Sequence, residues 1–152
     1  MSFELIHYRN SEKILKKKGM LDDMTKTLEY IDSALQGAYP FGSLLKQSLA
    51  ETGWREDGTL NILPDRKYSY RGFKKGIAMD GSLTVFEYAH EALFRMQLGF
   101  AYKKVDVGIL LVNNIRGPKS PFGTTRELIE SEIEMLEPVI TLPVAVALFD
   151  LV

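Results

Sequence analysis

Apolar residues recur along this chain in two rhythms, and the change falls after Trp54. Leu21, Met24, Leu28, Ile31 and Leu35 stand three and four residues apart, which places them on one stripe of a helix that Gly37 closes. Phe41, Leu44, Leu45 and Leu49 repeat the pattern for a further helix ending at Gly53. Ahead of both, Asn10 or Ser11 can cap a short helix that stops at Lys16-Lys17-Lys18-Gly19, with cations at its negative end. His7 falls in a first strand or in the lead-in to that helix.

Beyond Trp54 the period shortens. Asp57-Gly58 marks a turn, and Tyr68 and Tyr70 alternate with Lys67, Ser69 and Arg71 as on a strand with one wet face. Residues 76–83 read as the returning strand of an antiparallel hairpin. A helix over residues 86–103 should turn Leu93, Phe94 and Leu98 inward, and VDVGILLV (105–112) reads as a buried central strand. The polar stretch 113–123 is a loop. Thr124 and Glu127 then form a capping box for a helix with Leu128, Ile129, Ile133 and Leu136 inward. Pro138 and Pro143 end that helix, and VAVALFDL (144–151) is a last buried strand. Helices, then a hairpin, then helices alternating with apolar strands predict one α/β domain over residues 1–152, with helices on both faces of a mixed sheet.

Composition narrows the chemistry. The 152 residues include no cysteine, which excludes disulfides, thiolate metal sites and cysteine nucleophiles. The start MSFELIHYRNSEK turns polar before an apolar stretch develops, so neither a signal peptide nor a membrane span is expected, and a cytoplasmic location fits. A net charge of −1 gives no global nucleic-acid signal, so any DNA contact must be local. Residues 66–75 carry Arg66, Lys67, Arg71, Lys74 and Lys75 and no acid, whereas residues 126–137 carry one Arg and five Glu. Both stretches could equally be solvated faces.

A metal nuclease needs oxygen ligands that hold Mg²⁺ against a phosphate. Asp80 at the hairpin, Asp65 after Pro64, and Glu87 and Glu91 one helical turn apart are the candidate carboxylates, with Ser82 two residues beyond Asp80. Asp80-Gly81-Ser82 is also ordinary turn chemistry. His90 beside Glu87 and Glu91 reads as a solvated ion pair. No phosphate loop and no GxSxG elbow is present. For DNA, Arg71, Lys74 and Lys75 on an aromatic-interleaved strand could follow phosphates. Arg116, Lys119 and Ser120, with Asn113 and Asn114, supply side chains suited to base edges and backbone.

Taken in order, the opening HYRNSEKIL, the segment LLKQSLAETGWRED, the block from Tyr68 to Gly108 with Lys104-Val105-Asp106-Val107-Gly108, and the tail resemble the BglII/BstYI restriction endonucleases, a branch of the PD-(D/E)xK nucleases. The resemblance implies a three-layer fold, Mg²⁺-dependent hydrolysis of double-stranded DNA, and a homodimer on palindromic sites. The family places an Asp on the first hairpin strand and Glu-x-Gln on the second. Here the Glu position falls on Asp80, the Gln on Ser82, and the first Asp on Tyr70 or Arg71, which cannot bind a metal. An arginine there would repel a metal but could hold a phosphate. Asp65, Glu87, Glu91 and Glu56/Asp57 are the acids that could compensate. The family's base-reading elements map onto Pro118 to Thr125. Two further readings stay open: an inactive nuclease-fold module that binds DNA or protein, and an interaction domain with no DNA role.

Overall fold

The computed structural model describes residues 3–56, 60–116 and 123–152, with the side chain of Arg116 excepted. The elements run β1 (Phe3–Tyr8), α1 (Ser11–Lys17), α2 (Leu21–Leu35), α3 (Phe41–Glu51), β2 (Gly72–Lys74), β3 (Ile77–Ser82), α4 (Tyr88–Ala101), β4 (Val107–Asn113), α5 (Thr125–Met135) and β5 (Val144–Phe149). The strands form a mixed sheet in the order β1-β5-β4-β3-β2. β3, β4 and β5 are parallel, and β1 and β2 run antiparallel at the edges.

Strand alternation divides the interior into two cores. Ile77, Met79, Val107, Ile109, Leu111, Ala145, Ala147 and Phe149 face α1–α3, where the stripe Met24, Leu28, Ile31 and Leu35 is fully buried. Ala78, Leu110, Val112, Val144, Val146 and Leu148 face the other way, against Ala92, Leu93 and Met96 of α4 and Ile129 and Ile133 of α5. The expected three-layer α/β architecture is therefore present. On this second face, Asp80 follows Ala78 in the inward row.

Several local expectations shift. Asn10 precedes α1 in a left-handed conformation and makes no side-chain cap, so the helix starts without one. Thr124 does cap α5, accepting from the Glu127 N–H at 3.2 Å. Tyr68 and Tyr70 belong to no strand of the main sheet; they lie on a small arm that folds back on Leu60–Ile62 through one bridge, Asn61 to Ser69. The hairpin strand starts only at Gly72 because Tyr70 turns into the core. Phe94 is 44% exposed: the sheet-facing stripe of α4 is Ala89, Ala92, Leu93, Met96 and Gly99, and Phe94 falls beside it. The turn at Asp57-Gly58 and the positions Lys119 and Ser120 lie outside the described residues.

Gly99 makes room for the arm. A Cβ on Gly99 would overlap the Tyr70 hydroxyl and approach Val105 Cγ2 at 2.7 Å. That hydroxyl is buried with no hydrogen-bond partner among the described residues. Alanine normally favours a helix by ~1 kcal/mol over glycine, but here overpacking opposes it. Gly99→Ala is expected to lower stability by about 1–3 kcal/mol in urea denaturation. Adding Tyr70→Phe should recover much of the loss, since it removes the clashing oxygen and an unpaired polar group.

Candidate functional site

The hairpin β2–β3 pairs Gly72 with Met79, so Arg71 and Asp80 are the next pair along the register. Asp80 is fully buried rather than exposed at the end of the hairpin. The strand continues past it to Ser82 and passes under α4, which covers it. Gly81 permits this close packing: its φ is +142°, and a Cβ there would strike the Leu111 backbone.

Asp80 has little to balance its charge. The Gly81 N–H donates to Oδ1 at 2.8 Å, while Oδ2 has no partner among the described residues. Arg71 Nε stands 3.9 Å from Oδ1 and donates instead to the Gly81 carbonyl at 2.5 Å. Burial pushes the Asp80 carboxyl up to about 6; the Gly81 N–H, Arg95 and Arg71 act against that rise, and Glu91 adds to it. Tyr70 is pushed up to about 12, by burial first and by the charge of Asp80 second.

Cations surround this carboxylate. From α4, Arg95 donates to Glu91 at 3.2 Å and to the Ser69 carbonyl at 2.8 Å, and lies 4.5 Å from the Tyr68 ring centre. Arg71 and Arg95 both approach the Tyr88 ring, at 5.4 and 5.6 Å. Arg55 donates to the Arg71 carbonyl at 2.5 Å. Gly42, Lys46, Arg55, Ser69, Tyr70, Arg71, Tyr88 and Arg95 together line a recess of about 300 Å³. A somewhat larger recess of about 400 Å³ lies elsewhere, between β1 and α5, and its rim of Glu130, Glu134 and Glu137 would repel an anion.

Apart from Arg71 and Glu91, whose charges act on Asp80, the other residues singled out in the sequence do not converge on it. Ser82 Oγ accepts from the N–H groups of Thr84 and Val85, so it closes the turn into α4. Glu87 is exposed at the N-cap of α4, and Asp65 is exposed on the arm. Glu91 is engaged by Arg95. Lys74 is held by Asp23 at 2.8 Å and packs over Trp54, and Lys75 sits at the far end of the hairpin. His90 lies 3.2 Å from Glu132 on α5, not against Glu87 or Glu91. His7 Nδ1 is 2.6 Å from Ser11 Oγ and its Nε2 3.6 Å from Glu12, but Ser11 is fully buried and closed to any substrate.

Magnesium is bound through oxygen, commonly one or two carboxylates in near-octahedral array. Asp80 lies buried behind Arg71, the nearby Glu91 is paired with Arg95, the carbonyl of Gly81 already takes Arg71 Nε, and a guanidinium stands where a second acid would be required. Among the described residues no three His, Cys, Asp or Glu side chains come together as ligands. These residues do not fit a Mg²⁺ site.

No protein-family model and no curated protein sequence matches the chain. Solved structures do. Restriction endonuclease BglII in complex with a DNA 16-mer superposes with a TM-score of 0.68 at 14% identity, covering 99% of this chain and 77% of that one. Free BglII gives 0.60 at 16% identity, covering 98% and 79%. The fold is restriction endonuclease-like. Identities this low establish the architecture alone.

Within the restriction endonuclease-like fold, Lys46, Arg55, Tyr88 and Arg95 line the candidate site although the sequence alone did not single them out. Tyr88, Glu91 and Arg95 stand three and four residues apart on α4, a stripe beside the apolar one that periodicity could have exposed. Nothing in the local sequence ties Lys46 and Arg55 to Arg71.

The raised Asp80 carboxyl makes stability depend on pH. A group whose proton is held more tightly in the folded state stabilises below its unfolded value, and that contribution is lost as pH rises through the folded one. For Asp80 the window runs from about pH 4 to about pH 6. Asp80→Asn is expected to gain about 1–3 kcal/mol over the unsubstituted chain near pH 8 and little near pH 4, by urea denaturation at both. Equal effects at the two pH values would show that Asp80 is not the titrating group.

Proposed function

We propose that this chain binds duplex DNA through a restriction endonuclease-like fold in which guanidinium groups, rather than a divalent metal, face the phosphate. The observation that carries this reading is the Arg71–Asp80 contact at 3.9 Å. It sets a fixed positive charge beside the carboxylate that a metal would need. The likeness to BglII, whose structure contains DNA, supports a DNA partner. The recess between α3, Arg55, the arm and α4 supplies the local positive field that the net charge of −1 does not.

Arginine suits this role because its planar fork of donors matches phosphate oxygens and stays charged at any physiological pH. Arg71 commits Nε to Gly81, and its two terminal nitrogens have no acceptor among the described residues. Mg²⁺-dependent hydrolysis is the competing reading, favoured by one feature, the unpaired Oδ2 of Asp80.

The first test is retention of mixed duplex DNA on filters. Binding should weaken steeply between about 50 and 200 mM salt, as expected when phosphates are neutralised, and Arg71→Gln should weaken it further. DNA should stay intact with Mg²⁺ or Mn²⁺ at low salt; metal-dependent cutting would overturn the proposal in favour of the hydrolytic reading. A second test restores the acid. Arg71→Asp sets two carboxylates side by side, so Mn²⁺ should raise the melting temperature of that variant and leave the unsubstituted chain unchanged. A metal-induced rise in the unsubstituted chain would mean that Asp80 already binds the ion.

A further inference from the structure

The recess over Asp80 gathers more positive charge than a phosphodiester can balance. Lys46 reaches it from α3, Arg55 from the segment after α3, Arg71 from the start of the hairpin, and Arg95 from α4. The acids in contact are Glu91, paired with Arg95, and Asp80, buried behind Arg71. With both ionised, the four cations still leave a surplus of two positive charges.

Two of the four cations, Arg55 and Lys46, are paired with no acid among the described residues. Arg55 donates to the backbone carbonyl of Arg71, forms no ion pair among the described residues, and is pushed down by burial and then by the charge of Arg71. Lys46 is exposed on α3 and likewise forms no ion pair among the described residues. Elsewhere the chain does pair its half-buried cations, Lys18 with Asp106 and Lys74 with Asp23. An anion entering the recess would meet donors from four segments, and three of them are guanidinium groups.

We propose that the recess formed by Lys46, Arg55, Arg71 and Arg95 binds a phosphomonoester dianion, the terminal phosphate of a DNA end or of a free nucleotide. A monoester carries close to two negative charges at neutral pH and three free oxygens. A diester carries one charge and is tethered on both sides. Charge count and convergence both select the monoester. The inference rests on the reading of this site as phosphate-facing but does not require that internal DNA be bound.

Fluorescence anisotropy with three short duplexes tests it: one with 5′-phosphates, one with 3′-phosphates, one with hydroxyls at every end. Deoxynucleoside monophosphate and inorganic phosphate are followed in parallel by melting temperature. One phosphorylated duplex should bind at least about tenfold more tightly than the hydroxyl duplex, a difference of about 1.4 kcal/mol. Arg55→Gln and Lys46→Gln should each narrow that ratio. The lysine variant guards against misfolding, because Lys46 is exposed and makes no side-chain bond among the described residues. Equal binding of all three duplexes would overturn the inference while leaving DNA binding in place. Stabilisation by the free phosphates, lost in Arg55→Gln, with no duplex bound, would uphold the recess and remove DNA as the source. Absence of every effect would overturn both.

Discussion

A buried carboxylate with only one hydrogen-bonded oxygen imposes conditions on everything near it. Asp80 occupies a row of β3 that would otherwise be apolar, and leaving it ionised there costs free energy unless positive charge stands close. Arg71 and Arg95 provide that charge, one from the lead-in to the hairpin and one from α4. Each is then oriented in turn: Arg71 by the Gly81 carbonyl, Arg95 by Glu91 and the Ser69 carbonyl. Tyr68 and Tyr88 lie against these guanidinium groups, which limits their access to water and strengthens the fields they exert.

The rest of the fold holds this arrangement in place. The parallel strands β3, β4 and β5 form the rigid centre, and Gly81 brings β3 close against β4 at the point where Asp80 is set. The core between the sheet and α1–α3 combines aliphatic residues with Phe41, Trp54 and Phe149, and the Trp54 indole donates to Thr27 at 2.9 Å. The opposite face has an apolar core of its own, and the recess draws on both layers, with Lys46 from α3 and Arg95 from α4.

Much of this architecture was legible in the sequence because it depends on repeating patterns. The stripe Met24, Leu28, Ile31 and Leu35, the runs ending in β4 and β5, and the Thr124 cap each follow from a period or a short local rule. The site was only partly legible. Asp80 was found as a residue type in a hairpin, but its depth came from β3 running on beneath α4, which no local pattern encodes. Tyr70 looked like one face of a strand, yet it leaves the sheet because Gly99, far along the chain, offers space for its ring. Lys74 looked free in a basic run and is held by Asp23, fifty-one residues earlier. Pairings of that kind are set by tertiary contact.

The Tyr70–Gly99 contact has a mechanical side. Tyr70 adjoins Arg71, and Gly99 lies one turn beyond Arg95 on the same face of α4. The ring in its notch thus indexes the helix against the hairpin and fixes the spacing of two guanidinium groups by an apolar fit. Cations set at their separation before any ligand arrives lose little conformational freedom on binding, so more of the electrostatic attraction is expressed as affinity. In this molecule, preorganisation of a charged recess begins with the missing side chain of a glycine.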